Sequence, residues 1–361
     1  MKMKPELTRF NNGIPVTISN WHLRRQELYD AIVPHEYGAI PPAGEKTFVI
    51  QRSIHMPEAW PKVTHAIYDV VTEFENKTYF SQTLTLWIPS GKGPFPALLY
   101  GDNCWSYFNE EILENVLKRG YIAALFDRTE AAADNKQNYK ETGIYKLLPS
   151  KNFGAISAWA WAYHRCVDAL VQLPQVCNNS IAISGHSRGG KTTLLAGATD
   201  DRIALVNSNG SGTGGAAPNH WKTDKAETID SFFGSGNIFW FSDKFKDYRY
   251  QDHKLSYDQH FLYGLVSPRP LLFTEARKDS AANPPGTYLA CQTALELYEL
   301  FQCGEAIGWS LRDGDHAHTL EDFISLLNFM DRHLLGKKNS INFQPKLFEN
   351  ISEMIKKSSE L

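Results

Sequence analysis

No stretch of this sequence approaches the roughly 20 consecutive apolar residues that a membrane-spanning helix needs, so a helical integral membrane protein is excluded. The opening MKMKPELTRFNNG carries positive residues with no apolar segment behind them, and it does not read as a secretory leader. The chain as it stands is therefore expected to be cytoplasmic, and exported only if a leader has been removed. An excess of one charge is also lacking: 37 Lys and Arg against 40 Asp and Glu leave −3. Neither nucleic acid nor a membrane surface is expected as a partner, because neither has an electrostatic footprint here. Cysteine is scarce. The five (Cys104, Cys166, Cys177, Cys291, Cys303) are odd in number and have no CxxC spacing, which argues against a disulfide framework and against zinc. No metal or cofactor is expected. Repeats, low-complexity tracts and linkers are missing too. Aromatic residues, by contrast, are plentiful: nine Trp, sixteen Tyr and twenty Phe. Some of them, Trp240 included, are expected to line a cleft, since flat apolar faces suit sugar rings and aryl groups.

The order of the apolar runs suggests one domain of α/β class. Residues 1–45 read as an irregular extension packed on the body, with WHLRRQELYDAIVPHEYG as a helix. A core over 46–335 and a tail over 336–361 follow. TFVIQRSIHM, HAIYDVVTEF and TYFSQTLTLWIP alternate apolar and polar residues, as half-buried antiparallel strands do. Asn76 and Lys77 supply the turn between the last two. Beyond Gly91-Lys92-Gly93-Pro94 the runs become continuous: PALLYG, YIAALFD, SIAISG, IALVNSNG, PLLFTEA and IGWSLRDG. Helical stretches such as EEILENVLKRG, GAISAWAWAYHRCVDALVQL, KTTLLAGATD and TYLACQTALELYELF separate most of them. Buried strands alternating with helices imply a mostly parallel sheet covered on both faces. An antiparallel hairpin leading into such a sheet fits the α/β-hydrolase pattern.

Within that pattern, IAISGHSRGGK raises the question of a nucleophile. G-x-S-x-G marks an elbow when a strand precedes the serine and a helix follows it, and SIAIS and KTTLLAGATD meet both conditions around Ser187. A serine hydroxyl needs a base, and in this fold the order is Ser, acid, His, with the His after the last strand. His253 and His260 precede PLLFTEA, and His333 lies inside the final helix. His316 and His318 remain, in RDGDHAHTLED. His316, two residues after Gly314, is placed like the base, and His318 is a candidate either for supporting the site from behind or for touching substrate, a solvated loop histidine being the plainer alternative. PLLFTEARKDSAANPPG offers two acids, Glu275 at the strand end and Asp279 in the loop. Asp279 is the better placed to hold the histidine tautomer.

Several stretches together resemble the glucuronoyl esterase family, carbohydrate esterases that cleave 4-O-methyl-glucuronate esters joining xylan to lignin. They are GHSRGGK, GATDDRIALVNSNGSGTGGAA, WAWAYHRCVDAL, DQHFLYGLVSPRPLLF and LRDGDHAHTLED, within roughly residues 80 to 335. The resemblance implies Ser187 as nucleophile, His316 as base, Arg188 as an oxyanion-stabilising residue and Lys191 as a contact to sugar hydroxyls. Two departures stand out. Many family members carry an acidic residue after the sixth strand, where this chain has Asn209-Gly210-Ser211. A triad through that position is ruled out, which favours Asp279. KDSAANP also lacks a tryptophan expected near the acid. The leading expectation is a serine esterase acting on glucuronate esters. An acetyl or feruloyl carbohydrate esterase is the alternative, and a non-catalytic hydrolase-fold binding module the third reading.

Overall fold

Every second residue of HAIYDVVTE is buried and the residues between are half-exposed, as expected where one face of a strand meets a core. The structure is a computed structural model, and it describes residues 3–357. Its strands are β1 (Lys46–His55), β2 (Thr64–Glu73), β3 (Tyr79–Ile88), β4 (Phe95–Tyr100), β5 (Ile122–Phe126), β6 (Val176–His186), β7 (Leu205–Asn209), β8 (Trp221–Lys222), β9 (Leu271–Ala276), β10 (Ile307–Arg312) and β11 (Lys356–Lys357). Among the described residues, nine strands form one sheet in the order β1-β2-β3-β5-β4-β6-β7-β9-β10, and β8 pairs with β11 in a small ribbon. β1, β2, β3 and β5 pair antiparallel in turn, and every pair from β5 to β10 is parallel. This is the mostly parallel α/β-hydrolase sheet, entered through antiparallel strands as the sequence suggested.

The α-helices of seven or more described residues are α1 (Trp21–Ile32), α2 (Glu110–Lys118), α3 (Ala155–Leu170), α4 (Arg188–Thr199), α5 (Ile229–Ser235), α6 (His260–Val266), α7 (Pro284–Leu300) and α8 (Leu320–Leu335). Alternation along the central strands splits the core in two. Leu99, Ile181, Ile183 and Val206 face α3, α4, α6 and α7, whereas Leu98, Tyr100, Ala182 and Leu205 face α2 and α8. α3 is buried on nearly its whole circumference, as a helix enclosed in a core is, and its buried polar groups Ser157, His164 and Arg165 bond to backbone carbonyls. The free edge of β10 is covered, because Trp309 N–H donates to Phe343 O at 2.8 Å. An open ladder there would invite pairing with another chain.

Three details depart from the sequence reading. The helix after the elbow begins at Arg188 rather than at Lys191, since Gly189 and Gly190, poor helix formers in isolation, sit where no side chain fits. The N-terminal helix gives way to a π-helical turn over Val33–Tyr37. α5 and α6 lie in a region for which apolar periodicity suggested no element. No helix among the described residues is long and apolar enough to cross a membrane.

Candidate active site

β6 delivers Ser187 at the C-terminal edge of the sheet, the side on which α/β folds bind ligands. Its φ of 55° and ψ of −121° lie outside the ordinary regions for a residue with a Cβ, the strain expected of an elbow. Neighbouring contacts hold it there. Ser187 N–H donates to Asn209 O of β7 at 2.8 Å, and His186 N–H donates to Asp102 Oδ2 at 2.7 Å. Both motif glycines are needed for space. A Cβ at Gly185 would fall 2.6 Å from Gly189 O, and one at Gly189 would fall 2.1 Å from Asp102 Oδ1.

The loops after β9 and β10 are zipped together beyond the sheet. Arg277 N–H donates to Arg312 O at 2.9 Å and Lys278 N–H to Gly314 O at 3.0 Å. That continuation carries Asp279 to His316, with Gly314 at φ 111° turning the chain. His316 Nδ1 lies 2.6 Å from Asp279 Oδ2, and its Nε2 lies 2.9 Å from Ser187 Oγ. Ser187, His316 and Asp279 are thus one hydrogen-bonded row. With Nδ1–H donated to the carboxylate, Nε2 is left to accept the serine proton. Arg188 heads α4, where first-turn N–H groups lack intrahelical acceptors and the helix dipole is positive. Such a site suits an oxyanion forming beside Ser187.

The other residues singled out in the sequence occupy different places. Glu275 is buried with neither oxygen hydrogen-bonded. Burial, then the charge of Asp279, raises its carboxyl well above the usual carboxylate range, so it is a neutral neighbour of the acid. His318 corrects the expectation of a substrate contact: it is buried and stacks on Phe323 at 4.1 Å. Burial, followed by His186 and Arg312, keeps it neutral. Lys191 is corrected similarly. It is buried, and its three N–H groups go to Ser211 O and Thr213 O at 2.6 Å each and to Glu227 Oε2 at 2.9 Å. An ammonium has three donors, so none remains for a sugar hydroxyl. Trp240 is 3% exposed, which makes it a wall behind Arg188 rather than an open platform.

Sequence reasoning missed the groups that support the row. Arg312 is buried and staples the histidine loop, with Nη2 donating to Ala317 O at 2.7 Å and Nε to Asp322 Oδ2 at 2.8 Å. His186 lies beneath His316, ring centroids 4.4 Å apart, and its Nδ1 is 2.6 Å from Asn209 Oδ1. Burial, then His316, lowers its pKa to about 4, so no second cation competes with an imidazolium at His316. The run LRDGDHAHTLED held a signal for Arg312, a charged residue closing an apolar strand. Nothing local marked His186 as more than the variable position of the motif.

Comparison with known proteins bears on what such a row is for. Residues 70–302 match the family profile described as glucuronyl esterase, fungi. The chain belongs to this family. The 4-O-methyl-glucuronoyl methylesterase of Phanerochaete carnosa is 30% identical over 360 residues, covering 92% of this chain and 81% of that one. A carbohydrate esterase from an unknown prokaryotic organism is 33% identical over 249 residues, 62% of this chain and 56% of that one. The structure of a carbohydrate esterase family 15 glucuronoyl esterase from Caldicellulosiruptor kristjansonii is similar with a TM-score of 0.83 at 27% identity, covering 97% of this chain and 95% of that one. As a glucuronyl esterase family member the chain is a carboxylic ester hydrolase.

Proposed function

We propose that this esterase cleaves carboxylic esters of glucuronic acid, 4-O-methylated or not, and forms an acyl-enzyme on Ser187. The observation that carries the reading is the row from Ser187 Oγ through His316 to Asp279, at 2.9 and 2.6 Å, with the serine in elbow geometry. Ser187 Oγ attacks the uronate carboxyl carbon as His316 Nε2 takes its proton. The new oxyanion forms beside the N-terminus of α4 and the Arg188 guanidinium. His316 then returns the proton to the departing alcohol. In the second half, water attacks the acyl carbon as His316 takes its proton, and His316 then gives that proton to Ser187 Oγ as the acyl C–Oγ bond breaks and the free uronic acid leaves. Asp279 stays ionised throughout and stabilises the imidazolium. Lys191 acts indirectly, holding Glu227 and the Ser211–Thr213 backbone at the rim of the site.

Hydrolysis of benzyl glucuronate beside p-nitrophenyl acetate tests this reading. Turnover of the uronate ester, together with its loss to below about one hundredth of wild-type kcat in Ser187→Ala, is the expected result. Turnover of the acetate alone would replace the uronate reading with an acetyl esterase. Full activity in Ser187→Ala would overturn the nucleophile assignment.

A further inference from the structure

Arg188 is pinned on three sides. Its guanidinium carbon lies 4.5 Å from the ring centroid of Trp240 and 5.3 Å from that of Trp105. Its Nη1 donates to Asp134 Oδ2 at 2.8 Å. The other oxygen of Asp134 accepts the indole N–H of Trp240 at 3.1 Å. One carboxylate therefore fixes both the cation and one of the faces it lies against. Arg188 Nε, meanwhile, is buried and donates to no protein acceptor.

Asp134 is itself held in register with the elbow. Arg128 is fully buried between Trp105 and Trp159, 4.7 and 4.3 Å from their ring centroids. Its Nη1 is 3.7 Å from Asp134 Oδ2, and its Nε donates to Asp102 Oδ1 at 2.7 Å. Asp102 in turn accepts His186 N–H. The charges alternate along a chain from the backbone beside the nucleophile, through Asp102, Arg128 and Asp134, to the Arg188 guanidinium. A free arginine side chain samples many rotamers, and ordering it during the reaction costs conformational entropy. Catalysis by a fixed donor avoids that cost. An anion beside an oxyanion donor weakens its field, and Arg128, which Asp134 shares with Asp102, offsets that only in part.

We propose that Asp134 is the positioning residue that holds the Arg188 guanidinium in place for the oxyanion. The inference rests on the reading of Arg188 as an oxyanion donor, and the test separates the two.

A double-mutant cycle on kcat with benzyl glucuronate uses wild type, Asp134→Ala, Arg188→Ala and the double variant. Loss of one oxyanion donor costs about 10²–10³ in kcat. Asp134→Ala is expected to lower kcat about 10- to 100-fold, with KM changed less than about threefold. In the Arg188→Ala background it should have almost no further effect, because coupled residues are non-additive. Asp134→Asn keeps an oxygen for Arg188 or Trp240 and should recover part of the loss; it replaces Asp134→Ala in the cycle if that variant does not fold. Wild-type kcat in Asp134→Ala, or the same fold-loss in both backgrounds, overturns the proposal while leaving Arg188 its role. Wild-type kcat in Arg188→Ala overturns the Arg188 reading and the proposal with it.

Discussion

Replacing Asp279 by Asn exchanges one oxygen of the buried carboxylate for an NH2 group and leaves its shape almost unchanged. The structure dictates how the amide would sit. Asp279 Oδ1 accepts Ala282 N–H at 3.3 Å, and Oδ2 faces His316 Nδ1 at 2.6 Å. An asparagine oxygen can serve Ala282, which turns its NH2 toward His316. Nδ1 must then act as acceptor, so the imidazole proton moves to Nε2 and the atom facing Ser187 Oγ at 2.9 Å ceases to be a base. In a serine protease the equivalent tautomer reversal costs about 10⁴ in kcat, or about 5 kcal/mol of barrier. The same order is expected here, measured as steady-state kcat on benzyl glucuronate at pH 7. A loss below about tenfold would refute the assignment of Asp279. A second arm uses the neighbouring loop. A Cβ at Gly210 would stand 3.6 Å from His316 Nδ1 in open van der Waals contact. Asp tolerates a φ of 50° better than most residues. Gly210→Asp in an Asp279→Ala background should therefore regain at least about tenfold of the lost kcat. No gain would show that the β7 loop does not aim a carboxylate at the histidine.

Glu275→Gln should keep kcat within about threefold, because the buried neutral carboxyl takes no part in the row. Since burial raises its folded pKa above the unfolded value, the wild type loses stability as pH rises above about 4.5. The Tm advantage of Glu275→Gln should accordingly widen from pH 5 to pH 8. A constant gap would sink the argument, and a collapse of kcat would make Glu275 the acid. Lys191→Ala leaves two buried carbonyls and Glu227 without their cation, and should cost about 3 kcal/mol of stability in urea unfolding. An unchanged midpoint with a raised KM would instead restore Lys191 as a direct sugar contact.

The Ser187–His316–Asp279 row was legible because each member is tied to a strand end. Once SIAISG, PLLFTEA and IGWSLRDG were read as parallel strands, Ser187, Asp279 and His316 followed from chain order and from which loops point to the same edge. Two residues further along the same loop, His318 could not be placed. Its position depends on Arg312, which draws the backbone at Ala317 inward and turns the next side chain under the site, onto Phe323. Lys191 misled for a related reason. A lysine is ordinarily exposed, and only the loop after β7, with Gly210, Gly212 and Gly214 all at positive φ, brings the carbonyls of Ser211 and Thr213 over it.

The Asp102–Arg128–Asp134–Arg188 chain was invisible for a different reason. Its members come from the ends of β4, β5 and β6, and those strands are neighbours only because the sheet order runs β5-β4-β6. Sequence shows three charged strand ends, GDNCW, FDRTEAAAD and GHSRGGK, and each alone reads as a solvated loop. Strand order makes them one cluster. Parallel pairing of β4 with both β5 and β6 sets their ends side by side, and tryptophans at 105 and 159 then close off water around Arg128 while those at 105 and 240 cover two faces of Arg188. Removing that water is what turns surface-type ion pairs, worth about 0–1 kcal/mol each, into a fixed array able to hold a donor in place.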